Sequence, residues 1–101
     1  MNSIRMEEKM VNEKPWKEIR KKLHEKPDIW IGKSGISQGV IEETRKILKV
    51  KKIVKIKFLK NIASSKADAE NLAKELAEKT GAKIGKIIGK TVILYTEKEG
   101  L

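Results

Sequence analysis

The sequence contains no cysteine among its 101 residues. This excludes disulfides, thiolate metal ligands and cysteine nucleophiles. The single histidine, His24, leaves no histidine cluster for a metal and no Ser/His/Asp triad. The aromatic residues are only Trp16, Trp30, Phe58 and Tyr95. That is too few for recognition in which several exposed rings stack on successive bases. No apolar run approaches the roughly 20 residues of a membrane span. The stretch from Met1 to Met10 is too polar and charged for a secretory signal. The expectation is a cytoplasmic, monomeric, non-catalytic protein that needs no metal, no cofactor and no membrane. The neighbouring carboxylates Glu42 and Glu43 do not share a helix face, so they form no catalytic dyad.

Positive charge, by contrast, is abundant, with a formal net charge of +10. It is also unevenly placed. Residues 14–60 hold 15 basic and 5 acidic side chains, a net +10. Residues 1–13 hold 2 basic and 3 acidic, and residues 61–101 hold 7 and 6. A mixed Lys/Glu surface of the kind found in heat-stable proteins would distribute both signs throughout. Concentration in one segment is instead the electrostatic footprint of a nucleic-acid binder.

At the centre of that segment lies Gly32-Lys33-Ser34-Gly35. It follows the strand-like Asp28-Ile29-Trp30-Ile31 and precedes Ser37, a helix N-cap residue. Glycines let a backbone approach a ligand, and a helix start offers unpaired N–H groups to an anion. The same glycines would also serve an ordinary strand-to-helix turn. A nucleotide-binding P-loop needs a glycine five residues before its Gly-Lys pair. Pro27 stands there for Gly32-Lys33-Ser34, and Ile84 for Gly89-Lys90-Thr91, so ATP or GTP binding is rejected.

The pattern predicts seven elements around this loop. A first helix begins near Pro15, places Trp16, Ile19 and Leu23 on one face, and ends at Pro27. The strand 28–31, the loop 32–35 and a helix over 37–49 follow. Residues 53–59 alternate, with Val54, Ile56 and Phe58 opposite Lys55 and Lys57. After a polar linker at 60–64, Ser65 and Asp68 resemble a capping box for a third helix that Gly81 closes. Strands 84–88 and 91–95 flank Gly89-Lys90, a type II′ turn. The order α-β-α-β-α-β-β predicts a small two-layer α/β sandwich, a mixed four-stranded sheet with helices mainly on one face. Residues 1–13 are expected to be a flexible tail, 14–97 the domain, and 98–101 a second tail.

Candidate RNA-binding residues are Gly32, Lys33, Ser34 and Gly35, the helical stripe Lys17, Arg20 and Lys21, and the strand residues Lys55 and Lys57. The stripe could also be an ordinary solvated face. Lys55 and Lys57 could meet phosphate if their sheet face is open, and otherwise keep the sheet soluble. Trp16 is expected in the core. Trp30 points opposite to Ile29 and Ile31 and either packs or stacks on a base. Gly39, a poor helix former, suggests a close approach by the sheet or a phosphate backbone.

Three stretches resemble the CRM domain (chloroplast RNA splicing and ribosome maturation), above all its stand-alone prokaryotic YhbY-like form. They are Ile31-Gly32-Lys33-Ser34-Gly35-Ile36-Ser37 with Gly39-Val40-Ile41, Val54-Lys55-Ile56-Lys57, and Thr80-Gly81-Ala82 followed by residues 87–95. Ser37 stands where that family often has threonine, and Thr96 where arginine is common. The resemblance implies a fold similar to the C-terminal domain of initiation factor three. It also implies RNA binding through a Gly-x-x-Gly loop, with ribosomal or precursor RNA, including large-subunit precursor particles, as partner. A basic patch docking onto an acidic protein partner in a ribosome-assembly complex is the alternative.

Overall fold

The computed structural model describes residues 14–96. The expected tails at 1–13 and 98–101, and residue 97, lie outside the described residues. The elements follow the expected order: α1 (Trp16–Leu23), β1 (Ile29–Ile31), α2 (Gln38–Lys51), β2 (Ile53–Phe58), α3 (Lys66–Thr80), β3 (Lys83–Ile88) and β4 (Thr91–Tyr95). None of these helices is long and apolar enough to cross a membrane.

The sheet is mixed and four-stranded, in the order β1-β2-β4-β3. β1 runs parallel to β2, while β4 runs antiparallel to both β2 and β3. β1, β2 and β3 therefore all point the same way and finish at the same end of the sheet. The crossover through α3 skips one position, and β4 fills it. The hairpin turn has positive φ at Gly89 (58°) and at no other turn residue, as a type II′ turn requires.

Local chemistry explains the helix limits. The Ser37 hydroxyl accepts the Val40 N–H (3.3 Å) at the start of α2. The Ser65 hydroxyl accepts the Asp68 N–H (3.2 Å) at the start of α3. Asp68 accepts in turn from the Ser64 hydroxyl (3.0 Å) and N–H (3.3 Å), one residue before the usual capping-box partner. These bonds, led by the hydroxyl, hold the Asp68 carboxyl below its ordinary pKa. α2 continues two residues past the expected 49 and ends on left-handed Lys52.

One face of the sheet supplies the main core. Val54, Ile56, Phe58, Val92 and Leu94 are fully buried there, against Ile41 and Leu48 of α2 and Ala69, Ala73 and Leu76 of α3. The alternation read in β2 is the one observed. Small alanines four residues apart let α3 lie close to the strands.

α1 crosses the other face, so the helices lie mainly, but not all, on one side. Ile19 is fully buried beneath it. A Cβ on Gly85 would come within 2.8 Å of the Ile19 Cδ1, so the bare backbone there seats the helix. The register of β3 also shifts at this point, between Ile84 and Lys86. Because Ile19 takes the central position, Trp16 does not enter the core as expected. It is 39% exposed, with the Lys14 ammonium 5.6 Å from its ring centroid.

α1 also stops earlier than Pro27. The Lys55 ammonium donates to the carbonyls of Leu23 (2.8 Å) and Glu25 (2.6 Å), taking up acceptors left at the helix end. Lys22, on the same helix as the exposed Lys17 and Lys21, is buried. Its ammonium pairs with Asp28 (3.0 Å) and Glu25 (3.2 Å). Asp28 also accepts the Lys55 N–H (2.9 Å) and donates its own N–H to the Lys55 carbonyl (2.8 Å).

Burial pulls the Lys22 pKa down, but hydrogen bonds and charge from Asp28 and Glu25 outweigh it and raise the value above 10.5. A raised lysine pKa stabilises the fold fully below the unfolded value and loses that contribution as pH climbs through the folded one. Asp28→Ala should cost about 2–3 kcal/mol in urea unfolding at neutral pH, because it leaves the buried ammonium with only the more exposed Glu25 and the Lys55 N–H without its carboxylate. The parent should lose this contribution only above roughly pH 10.5, the ordinary lysine value, and the variant, left with Glu25 alone, should show a smaller loss.

Candidate functional site

The ends of the parallel strands meet at the glycine loop. At the end of β2, the Leu59 N–H donates to the Ile31 carbonyl and the Phe58 N–H to the Lys90 carbonyl, both at 2.8 Å. The loop after β1 and the β3–β4 hairpin thus flank the same strand end. Within the loop, the Gly35 N–H donates to the Gly32 carbonyl (2.8 Å), which puts Lys33 and Ser34 at the exposed tip. Gly35 has φ 71°, a conformation that side-chain-bearing residues adopt at a cost. Gly32 rests against Leu59 and Asn61.

The loop leads directly into the capped start of α2. The N–H groups of Lys33, Ser34, Gln38 and Gly39 find no acceptor among the described residues. All four residues are exposed. Gly39 does not mark a close approach by the sheet: a Cβ there would touch only the Ser37 hydroxyl, at 3.8 Å.

Charge in the strand-end loops has one sign; the nearest carboxylates stand on the helices that follow, Asp68 in the first turn of α3 and Glu42 and Glu43 one turn into α2. The segments 29–41, 51–67 and 79–96, which supply the strand ends and their loops, contain no Asp or Glu. They bring Lys33, Lys57, Lys60 and Lys90 to the same end of the sheet. None of these four ammonium groups has a hydrogen bond or ion pair among the described residues.

The expected site residues divide between this end and elsewhere. Gly32, Lys33, Ser34, Gly35 and Lys57 come together. Lys55 does not join them, because its ammonium is occupied at the end of α1. Lys21 borders a depression with Glu18, Lys22, Glu25, Lys51 and Ile53. Ile53 pairs with Tyr95 at the far end of the sheet, so Lys21 faces away from the loop and sits among carboxylates. At 3.6 residues per turn, Arg20 stands about 160° around α1 from Glu18, on the flank away from that depression. Lys17 is exposed on the outer side of the helix.

Lys60 and Lys90 are additions that the sequence reading did not select, and Trp30, left open there between packing and stacking, is found unpacked. Lys90 looks like an ordinary hairpin residue until the strand order is known. Trp30 is 62% exposed, and its strand neighbour in register is Lys57.

The two glycines should respond oppositely to alanine in thermal or urea unfolding. Gly35→Ala should destabilise by about 1–2 kcal/mol through its positive φ. Gly39→Ala should stabilise by about 0.5–1 kcal/mol, because the helix gains a better former in open space.

Known proteins share this arrangement of chain. Residues 11–96 match the CRS1 / YhbY (CRM) domain. A Bacillus subtilis (strain 168) protein named "Probable RNA-binding protein YqeI" is 27% identical over 82 residues, covering 80% of this chain and 82% of that protein. The solution structure of the hypothetical protein SAV1595 from Staphylococcus aureus superposes with a TM-score of 0.65 at 26% identity. That match covers 79% of this chain and 80% of the other. With a match that spans every described residue, the chain belongs to the CRS1 / YhbY (CRM) domain family.

Proposed function

We propose that this protein binds RNA without catalysing a reaction on it, in the cytoplasm, as a monomer. Its target is ribosomal or precursor RNA, engaged during ribosome assembly or RNA maturation. The observation that carries the reading is the loop end of the sheet. There, exposed N–H groups with no acceptor among the described residues, the Lys33 ammonium and three acid-free segments converge on one surface. Membership of the CRM family, and the name of the Bacillus relative, point to the same ligand class.

The mechanism is electrostatic and positional. The N–H groups of Lys33, Ser34, Gln38 and Gly39 hold one phosphate at the positive end of α2. Lys33, Lys57, Lys60 and Lys90 neutralise phosphates on either side, with Lys17 and Arg20 extending the contact along α1. Each neutralised phosphate releases condensed counterions, so binding weakens as salt rises. Selectivity comes from the shape of the RNA and from its unpaired segments.

A titration of labelled ribosomal RNA fragments at several salt concentrations tests this. With the six named cations each on a phosphate, the logarithm of affinity should fall against the logarithm of salt with a slope of about −4. The double variant Lys33→Asp, Ser34→Asp should lose at least about tenfold in affinity while keeping its circular dichroism and Tm. Undiminished affinity in a folded double variant would remove the loop from the binding surface. Weak, unselective RNA binding by the parent would favour an acidic protein partner instead.

A further inference from the structure

On the face of the sheet that carries α1, the strand register lines up two successive rows of side chains. The first row, Lys55, Ile93 and Lys86, lies under or beside the helix. α1 is fastened along it, from the Lys14 ammonium on the Gly85 carbonyl (3.2 Å) to the Lys55 ammonium on the Leu23 carbonyl. The second row is one step closer to the glycine loop. It runs Trp30, Lys57, Thr91, Ile88, each residue the register partner of the next. Most of it stays open to solvent, with Thr91 half-buried between its neighbours. Trp30 is 62% exposed, Ile88 is 49% exposed, and Lys57 is exposed.

An indole left open on a sheet is unusual, because tryptophan is among the most buried residues on average. This one lies two residues before Gly32, beside Lys57, whose ammonium has no partner among the described residues, at an end of the sheet where the strand-end loops carry no carboxylate and the nearest is Asp68 at the start of α3. With strands about 4.8 Å apart, the row spans roughly 14 Å from Trp30 to Ile88. An apolar ring flanked by unopposed positive charge matches a nucleotide, whose base is flat and apolar in face and whose phosphate is anionic. An acidic protein segment would satisfy the lysines but leave the indole without a planar partner.

We infer that Trp30 is a stacking platform for one unpaired base of the bound RNA, with Lys57 on an adjacent phosphate and Thr91 and Ile88 continuing the track across the sheet. The inference rests on the RNA-binding reading above and adds to it a second contact area that reads single-strandedness. The glycine loop holds backbone and cannot by itself tell a paired from an unpaired nucleotide. An exposed ring can, because only an unpaired base is available to stack on it.

The test uses the full chain with Trp16→Phe, which leaves Trp30 as the sole tryptophan. Titration with a 12-nucleotide oligouridylate should quench and shift Trp30 emission, and a 12-base-pair RNA duplex should not. In anisotropy titrations with the same labelled oligouridylate, Trp30→Ala should weaken binding about tenfold without changing the salt slope, and Trp30→Phe should retain most of the affinity. Lys57→Gln should lower the slope by about 0.7, one phosphate contact. Trp30 is exposed, so these variants should keep the parent Tm. If oligouridylate binds with the expected salt dependence but Trp30 emission does not change and Trp30→Ala binds like the parent, the platform is overturned and the RNA-binding reading stands. If the parent binds no RNA, both fall. Stronger quenching by poly-glutamate than by RNA would also overturn the platform and assign the row to a protein partner.

Discussion

The Asp28 carboxylate is the joint on which the arrangement of this fold turns. It takes the buried Lys22 ammonium from α1 and the Lys55 N–H from β2, while its own N–H goes to the Lys55 carbonyl. Strand β1 has only three residues, a short ladder to hold an edge. The extra backbone pairing at Asp28 lengthens that hold, and the Lys22 contact ties the helix to the same point. Lys55 then reaches back to the carbonyls at the end of α1. Together these contacts set the level at which α1 crosses the sheet, and so decide which part of that face is covered and which part is left to Trp30 and Lys57.

The same residue type serves two incompatible purposes in this chain, and position in the fold separates them. Lys22 and Lys55 are drawn inward, where carboxylates or carbonyls compensate the lost hydration of their ammonium groups. Lys33, Lys57, Lys60 and Lys90 keep their hydration and meet no opposing charge among the described residues. A lysine-rich sequence needs both kinds. Without the first, α1 would not be anchored. Without the second, the loop end would have no field to attract an anion.

Much of this was legible in the residues. Alternation placed Val54, Ile56 and Phe58 on the core face, Ser37 and Ser65 marked two helix starts, and Gly81 and Gly89 marked turns. These signals are local, and local geometry satisfies them. What could not be read was which helix covers which face. Periodicity shows that Trp16, Ile19 and Leu23 share a side, but not that Ile19 would be seated by Gly85, some sixty-six positions later, and leave Trp16 at the margin. The burial of Lys22, the occupation of Lys55 and the arrival of Lys90 beside the loop all depend on the same long-range pairing. The candidate site was therefore legible at its loop and at Lys57, and illegible wherever it depends on the strand order.

That strand order has a consequence for how the chain reaches its native state. β4, the last described element, lies inside the sheet, between β2 and β3. Until it arrives, β3 has no strand to pair with, and the β1–β2 pair has an open inner edge. A chain emerging N-terminal end first can form its capped helices early, but it cannot assemble a four-stranded sheet from its first ninety residues. The closing event is the insertion of Thr91–Tyr95, which buries Val92, Ile93 and Leu94 together and joins both halves. Assembly is thereby made late and cooperative, and the hairpin that carries Lys90 is positioned by the same step that completes the core.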